Sequence, residues 1–223
     1  LELVLKIAQG GCVRKFELYT SIDAHGARAA YIRNGLDYTI WHANVRRFLE
    51  TVPDQRLAIM CAFNALSVTT FSQMYADVIA LRKAYPDSRP GAAPDGRVGI
   101  NFPYLRYPEH QSVMLLPESY GDRVDEIIAD MKRTPEATAM ELIELKRIRS
   151  VMRTPWPEKK LNVTRADFFR FFSEHDRRRE TDFLETFPEM AEFWETCRDL
   201  AAPSFLEASA RNIWRRAFPL VRA

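Results

Sequence analysis

The sequence predicts an α/β fold in which parallel strands are followed by a mainly helical region. Three observations carry this expectation. Helix-like and strand-like segments alternate through the first half of the chain, an order that suits parallel βαβ units. The segment RLAIMCAFNAL, residues 56–66, is a near-continuous apolar run, as expected of a parallel strand buried on both sides. After about Pro117 the strand signals stop and helical periodicity takes over.

In chain order, Leu1, Val4, Leu5 and Ala8 stand at helical spacing and end at Gly10-Gly11, a helix-stop signal. KFELYTSID follows as a strand over 16–23. Its odd positions Glu17, Tyr19, Ser21 and Asp23 share one face, and Phe16, Leu18, Thr20 and Ile22 share the other. Asp37 is a good N-cap for a helix whose face is Trp41, Val45, Phe48 and Leu49, ending before Pro53. The second strand covers 57–64. Thr70 or Ser72 caps the next helix, with Phe71, Met74, Val78 and Leu81 on its face. A loop rich in Pro and Gly leads to a third strand over 97–102.

Beyond Pro117, Val124, Ile127, Ile128 and Met131 mark one helix, and Met140, Ile143, Ile148 and Met152 lie in the next. Pro155-Trp156-Pro157 breaks the run, and Thr164 is expected to cap RADFFRFFSEHDRRR. Pro188 starts a further helix, and a last one is expected over 205–218. The division expected is therefore 1–117 and 118–223.

Composition bounds the function. With 47% hydrophobic and 28% charged residues the chain reads as soluble and globular, and its cysteine pattern as cytoplasmic. A net charge of +2 offers no electrostatic case for nucleic acid or an anionic membrane, and no apolar run approaches the ~18 residues of a span. Cys12, Cys61 and Cys197 are scattered and odd in number, a reduced pattern rather than a disulfide framework. His25, His42, His110 and His175 show no zinc-ligand spacing, so no metal is assigned. The mixed run EHDRRRE, 174–180, reads as an ion-paired helix end. Arg177 to Arg179 with Trp214, Arg215 and Arg216 make only a weak case for RNA or an acidic peptide.

Chemistry in barrel-like parallel sheets sits at the C-terminal strand ends. Here those ends carry Ser21 and Asp23, then Asn64, then Asn101. Such residues also commonly just cap the following turn. Three adjacent strands ending this way point to a site for a ligand rich in hydroxyl and amine groups.

The stretch SIDAHGARAAYIRNGLDYTIWHANVRRFL, 21–49, resembles the fourth strand and helix of radical S-adenosylmethionine (radical SAM) proteins of the SPASM/twitch branch. CAFNALSVTTF is similar to their fifth strand, and FFSEHDRRRETDFLETFPEM to the tail of twitch-domain members. The resemblance runs from Leu1 to about Phe193. It implies the C-terminal half of a partial (β/α)6 TIM-like barrel, followed by a helical, twitch-like extension. It also implies S-adenosylmethionine binding at the rim: Ser21 and Asp23 match the strand-four polar pair, Arg33 the arginine that pairs with the cofactor carboxylate, and Asn64 the strand-five residue near the ribose.

The family's C-x-x-x-C-x-x-C motif for its [4Fe–4S] cluster is absent, as are its glycine-rich strand-two motif and its cysteine-rich tail. Ala30 stands where the family often has Glu. The cluster is therefore expected only in an N-terminal half preceding Leu1, or in a separately encoded one. Two functions from different classes follow. One is an enzyme part acting, with that half, on a peptide or small molecule by hydrogen abstraction. The other is a non-catalytic binding module that keeps the rim alone.

Overall fold

The computed structural model describes residues 1–10, 13, 15–87, 92–154 and 156–202. The expected last helix, with Trp214, Arg215 and Arg216, and Cys12 lie outside the described residues. The first half contains α1 (Glu2–Gln9), β1 (Glu17–Ser21), α2 (Ala27–Ile32), α3 (Tyr38–Thr51), β2 (Arg56–Met60), α4 (Phe71–Ala84) and β3 (Val98–Asn101). The second half contains α5 (Glu118–Arg133), α6 (Ala139–Met152), α7 (Glu158–Arg179), α8 (Phe183–Thr186) and α9 (Ala191–Ala201). The fold is α/β, with one three-stranded parallel sheet in the order β1-β2-β3. Among the described residues no helix is long and apolar enough to cross a membrane.

Strand parity divides the sheet into two unlike faces. Ile22, Leu57, Ile59, Val98 and Ile100 are buried, and on this side the Trp41 indole of α3 donates to the Thr20 hydroxyl at 2.8 Å. The opposite face is built from register partners Glu17 and Arg56, Tyr19, Ala58 and Gly99, and Ser21, Met60 and Asn101. There Tyr19 is 61% exposed, Asn101 is exposed, and Ser21 and Met60 are half-buried.

An ion cluster closes the N-terminal end of that face. Arg56 pairs with Glu17 at 3.3 Å and with Asp95 at 2.9 Å. Gly99 leaves room for it, because a Cβ there would lie 2.5 Å from the Asp95 carboxylate and push that side chain aside.

α1, α3, α4, α5, α6 and α9 form where their sequence signals place them, α2 and α8 have no signal of their own, and two threonines act otherwise than expected. Asp37 caps α3 by accepting from the Ile40 amide at 2.9 Å, and Val45, Phe48 and Leu49 are buried. Thr70 is the N-cap position of α4, but its hydroxyl makes no cap bond. It accepts instead from the His25 amide at 3.1 Å, tying the loop after β1 to α4. Thr164 does not cap a helix. α7 begins at Glu158, six residues earlier, and Thr164 lies inside it with its hydroxyl donating to the Lys160 carbonyl at 2.9 Å. Such a back-bond lets threonine sit within a helix.

The segments on either side of residue 117 share one hydrophobic core, from Leu5 to Cys197. Tyr31 of α2 packs against Phe172, Phe183 and Phe187, and its hydroxyl donates to Asp176 of α7 at 2.7 Å. Asp176 also accepts from the Thr181 hydroxyl and the Phe183 amide. The neighbouring His175 lies against the Tyr31 ring, with Nε2 3.1 Å from the Tyr31 carbonyl and 3.0 Å from the Arg179 guanidinium. The remainder of EHDRRRE is the ion-paired helix end expected, with Glu174 accepting from Arg177 and Arg178.

A pH dependence follows. Burial, then the Arg179 charge, push the His175 imidazole below its usual range, and burial does the same for His110. Unfolded histidines titrate near ~6.5, so below that pH the unfolded chain binds more protons than the folded one. Stability is then fully present above the unfolded value and is lost as pH falls through the window beneath it. Urea midpoints should be lower at pH 5.5 than at 7.5, with the difference reduced in His175→Gln. Equal midpoints in the parent would contradict this account.

Candidate functional site

The polar strand ends meet at the C-terminal edge of the sheet, and Ala62 joins two of them. Its amide donates to Asp23 at 2.8 Å, and its carbonyl accepts from the Asn64 side chain at 3.0 Å. This explains why the strands are shorter than their apolar runs. The ladder continues to the Ile22 amide, which donates to the Met60 carbonyl. At the next step the Asp23 carboxylate takes the Ala62 N–H, and regular pairing with β1 stops.

Asp23 is 4% exposed. Besides the Ala62 amide, it accepts two bonds from Arg33, at 2.7 and 3.2 Å. A carboxylate this deep needs such a charge-assisted fork. Arg33 follows α2 as its C-terminal cap, so the short helix returns its side chain to the loop it started from. Asn64 is 5% exposed. Its Oδ1 accepts from the Leu66 and Ser67 amides at 2.9 and 3.3 Å, forming the turn that leads toward α4. The turn-capping reading therefore describes the bonding of Asn64 well.

Other groups at the rim remain open. The Ser21 hydroxyl and the Arg33 Nη1 make no hydrogen bond among the described residues, and the Arg33 side chain is 37% exposed. Asn101 is exposed, with only a 4.0 Å approach to the Met60 sulfur. A cleft of about 570 Å3 runs from Met60 and Asn101 to α6, past Phe102, Met140, Glu144 and Arg147.

The rim also holds a cluster that sequence reading missed. His25, at the end of the loop after β1, lies 3.4 Å from Asp77 of α4, with its ring 4.6 Å from that of Tyr38. The Tyr38 hydroxyl donates to the same Asp77 carboxylate at 2.5 Å. Burial, then the Asp77 bond, raise the Tyr38 hydroxyl well above its usual range, so Tyr38 stays a donor at neutral pH. No short motif links residues 25, 38 and 77; only the packing of α4 beside the β1 loop brings them together.

The cysteines belong to the core. Cys61 is fully buried and its thiol is raised well above its usual range by that burial. Cys197 is buried as well and pushed up to about 12. Among the described residues no three His, Cys, Asp or Glu side chains gather to hold a metal ion. Cys61 and Cys197 therefore form no such group.

Asp23→Ala should cost about 1–3 kcal/mol of folding stability by stranding Arg33 and the Ala62 amide. Chemical denaturation measures it. A loss below about 0.5 kcal/mol would mean that water replaces the carboxylate without penalty.

Compared with protein-family models, with curated proteins and with solved structures, the chain shows no match.

Proposed function

We propose that this chain is the C-terminal part of a partial (β/α)6 barrel of the radical SAM kind, in the cytoplasm, and that its rim takes part in S-adenosylmethionine binding. The observation that carries this reading is the parallel sheet with one partly open, polar face. Parallel sheets are ordinarily covered on both sides, and the inward side of an incomplete barrel is a natural explanation for one that is not. β1 is also an edge strand. Its even residues bond to β2, while the peptide groups of Glu17, Tyr19 and Ser21 have no backbone partner among the described residues. A strand from a cluster-binding N-terminal half would satisfy that edge. The full assembly would act on a peptide or small molecule.

The four rim residues divide into two roles. Ser21 and Arg33 face the ligand, because the Ser21 hydroxyl and Arg33 Nη1 are uncommitted donors suited to its ribose and its carboxylate. Asp23 and Asn64 act one step back. Asp23 orients the guanidinium, and Asn64 shapes the turn beside it.

Titration of S-adenosylmethionine followed by NMR tests this reading. The chain alone should bind at about millimolar affinity, or ~4 kcal/mol, since no cluster anchors the ligand's amino and carboxylate groups. Arg33→Gln and Ser21→Ala should each weaken it at least threefold. No saturation up to ten times that concentration, or unchanged binding by both variants, would overturn the assignment. The second reading, a binding module without redox chemistry, draws on the internal saturation of Asp23 and Asn64. It predicts that a supplied N-terminal half leaves S-adenosylmethionine affinity unchanged, whereas the enzyme reading predicts a large increase.

A further inference from the structure

We infer that the pocket between the start of α5 and the start of α9 binds a free α-amino acid, with its carboxylate on Arg123 and Ser119 and its ammonium on Glu192 and Thr196. This does not rest on the S-adenosylmethionine reading.

Arg123 is the starting point. Among the described residues the other buried or half-buried arginines are Arg28, Arg33, Arg56, Arg82, Arg97, Arg149 and Arg165. Each of them donates hydrogen bonds to a carboxylate or a backbone carbonyl. Arg123 is half-buried too, yet it donates none and has no carboxylate partner among the described residues. Its guanidinium lies over the Tyr120 ring, 5.2 Å from the centroid. Its N–H groups are left to water or to a ligand.

Two helices bring opposite charges to the same pocket, of about 220 Å3. Ser119 and Arg123 stand one turn apart on α5, and Glu192 and Thr196 one turn apart on α9. Residues at this spacing share a helix face, and all four line the pocket. The rings of Tyr120 and Phe193 join the two helices edge to face, 6.2 Å apart, and the Tyr120 hydroxyl donates to the Glu189 carbonyl at 3.3 Å. Burial raises that hydroxyl above its usual range, and the charges of Arg123, Glu189 and Glu192 all act on it, the arginine in the opposite sense. The three charges therefore lie around one side chain. No ion pair joins Arg123 to Glu192 across the gap.

Those charges select the ligand. An anion alone would be opposed by Glu192, and a cation alone by Arg123. Glu189 is already matched by Arg28 at 2.7 Å. What remains is one positive and one negative group, the complement of a zwitterion. The Ser119 hydroxyl makes no hydrogen bond among the described residues and can donate to a carboxylate. The Thr196 hydroxyl donates to the Glu192 carbonyl at 3.0 Å and keeps its lone pairs for an ammonium. The volume falls below the ~300 Å3 at which sites for drug-sized molecules begin, which suits a ligand of amino-acid size. Pro117, Tyr120 and Phe193 offer apolar surface to its side chain.

The probe is L-leucine, titrated into the full chain and followed by amide NMR and calorimetry. N-acetyl-L-leucine, which lacks the ammonium, and L-leucinamide, which lacks the carboxylate, are the controls. Leucine should bind with about millimolar affinity and each control about tenfold more weakly. The shifts should fall on the Arg123 and Thr196 amides and not on those of Ser21 and Arg33. Arg123→Gln should remove the preference over leucinamide and keep that over N-acetyl-leucine. Glu192→Gln, a change of an exposed side chain, should do the reverse. Circular dichroism confirms that each variant is folded. The inference is overturned if leucine does not saturate by ten times that concentration, if either control binds as tightly as leucine, if the shifts fall at the rim, or if both variants keep the parent's preferences.

Discussion

Glu141→Ala will lower unfolding free energy by about 3–5 kcal/mol, because it strands a buried guanidinium. Arg82 and Glu141 are 7% and 4% exposed. Arg82 donates to Glu141 at 2.5 and 3.1 Å, and the Tyr75 hydroxyl donates to the same carboxylate at 2.7 Å. Arg82 also donates to the carbonyls of Val98 and Glu136, so one side chain joins α4, β3 and the approach to α6. Glu141 further completes the capping box of α6 with Thr138, a contribution of about 1 kcal/mol. Urea denaturation measures the loss, and a value under 1 kcal/mol would show that the network relaxes around an unpaired arginine. The double variant Arg82→Met with Glu141→Leu should recover only part of the loss, since the apolar pair removes the unpaired charge but leaves the Tyr75 hydroxyl and the Val98 and Glu136 carbonyls without their partners. The cleft has a stake in this network, because the helix pinned by Glu141 carries Met140, Glu144 and Arg147.

Phe168→Ala is expected to cost a further large amount, about 3–5 kcal/mol, by opening a cavity in a crowded aromatic cluster. Phe168 is completely buried. Its ring centroid lies 4.7 Å from Phe172, 5.1 Å from Phe193, 5.6 Å from Phe183 and 6.2 Å from Trp194. These rings belong to α7, α8 and α9, so the substitution should loosen the helical half most. Phe171→Ala, three residues along and 41% exposed, is the control and should cost less than half as much. Comparable losses for the two would mean that the cluster's packing is not what holds α7. Hydrogen exchange should show the α7 and α9 amides opening well before those of β2.

How far the sequence carried depended on what each residue answers to. The three parallel strands were legible because apolar runs such as LAIMCAF can be satisfied only inside a covered sheet. Thr164 misled because a threonine before a charged, aromatic run has the look of an N-cap, while its hydroxyl can also turn back onto its own helix. α6 was legible as a helix but not in its orientation. Met140 and Ile143 are exposed, while Glu141, Leu145, Ile148 and Arg149 are buried. Hydrophobicity alone assigns those faces wrongly when partners for the charges come from other elements. Arg149 finds Asp125 and Glu118 on α5, and Glu141 finds Arg82 on α4.

By itself the sequence determined the order of the elements, the parallel direction of the strands and the gathering of Ser21, Asp23, Asn64 and Asn101 at one edge. All of these follow from periodicity and chain connectivity, which are local properties. Tertiary structure alone decided that Asp23 is consumed by Arg33 and the Ala62 amide, that His25 meets Asp77 and Tyr38, and that Arg123 and Glu192 line one pocket. Those arrangements depend on charges brought together from distant parts of the chain, and a polar residue's role is set by the partner it reaches rather than by its position in a pattern.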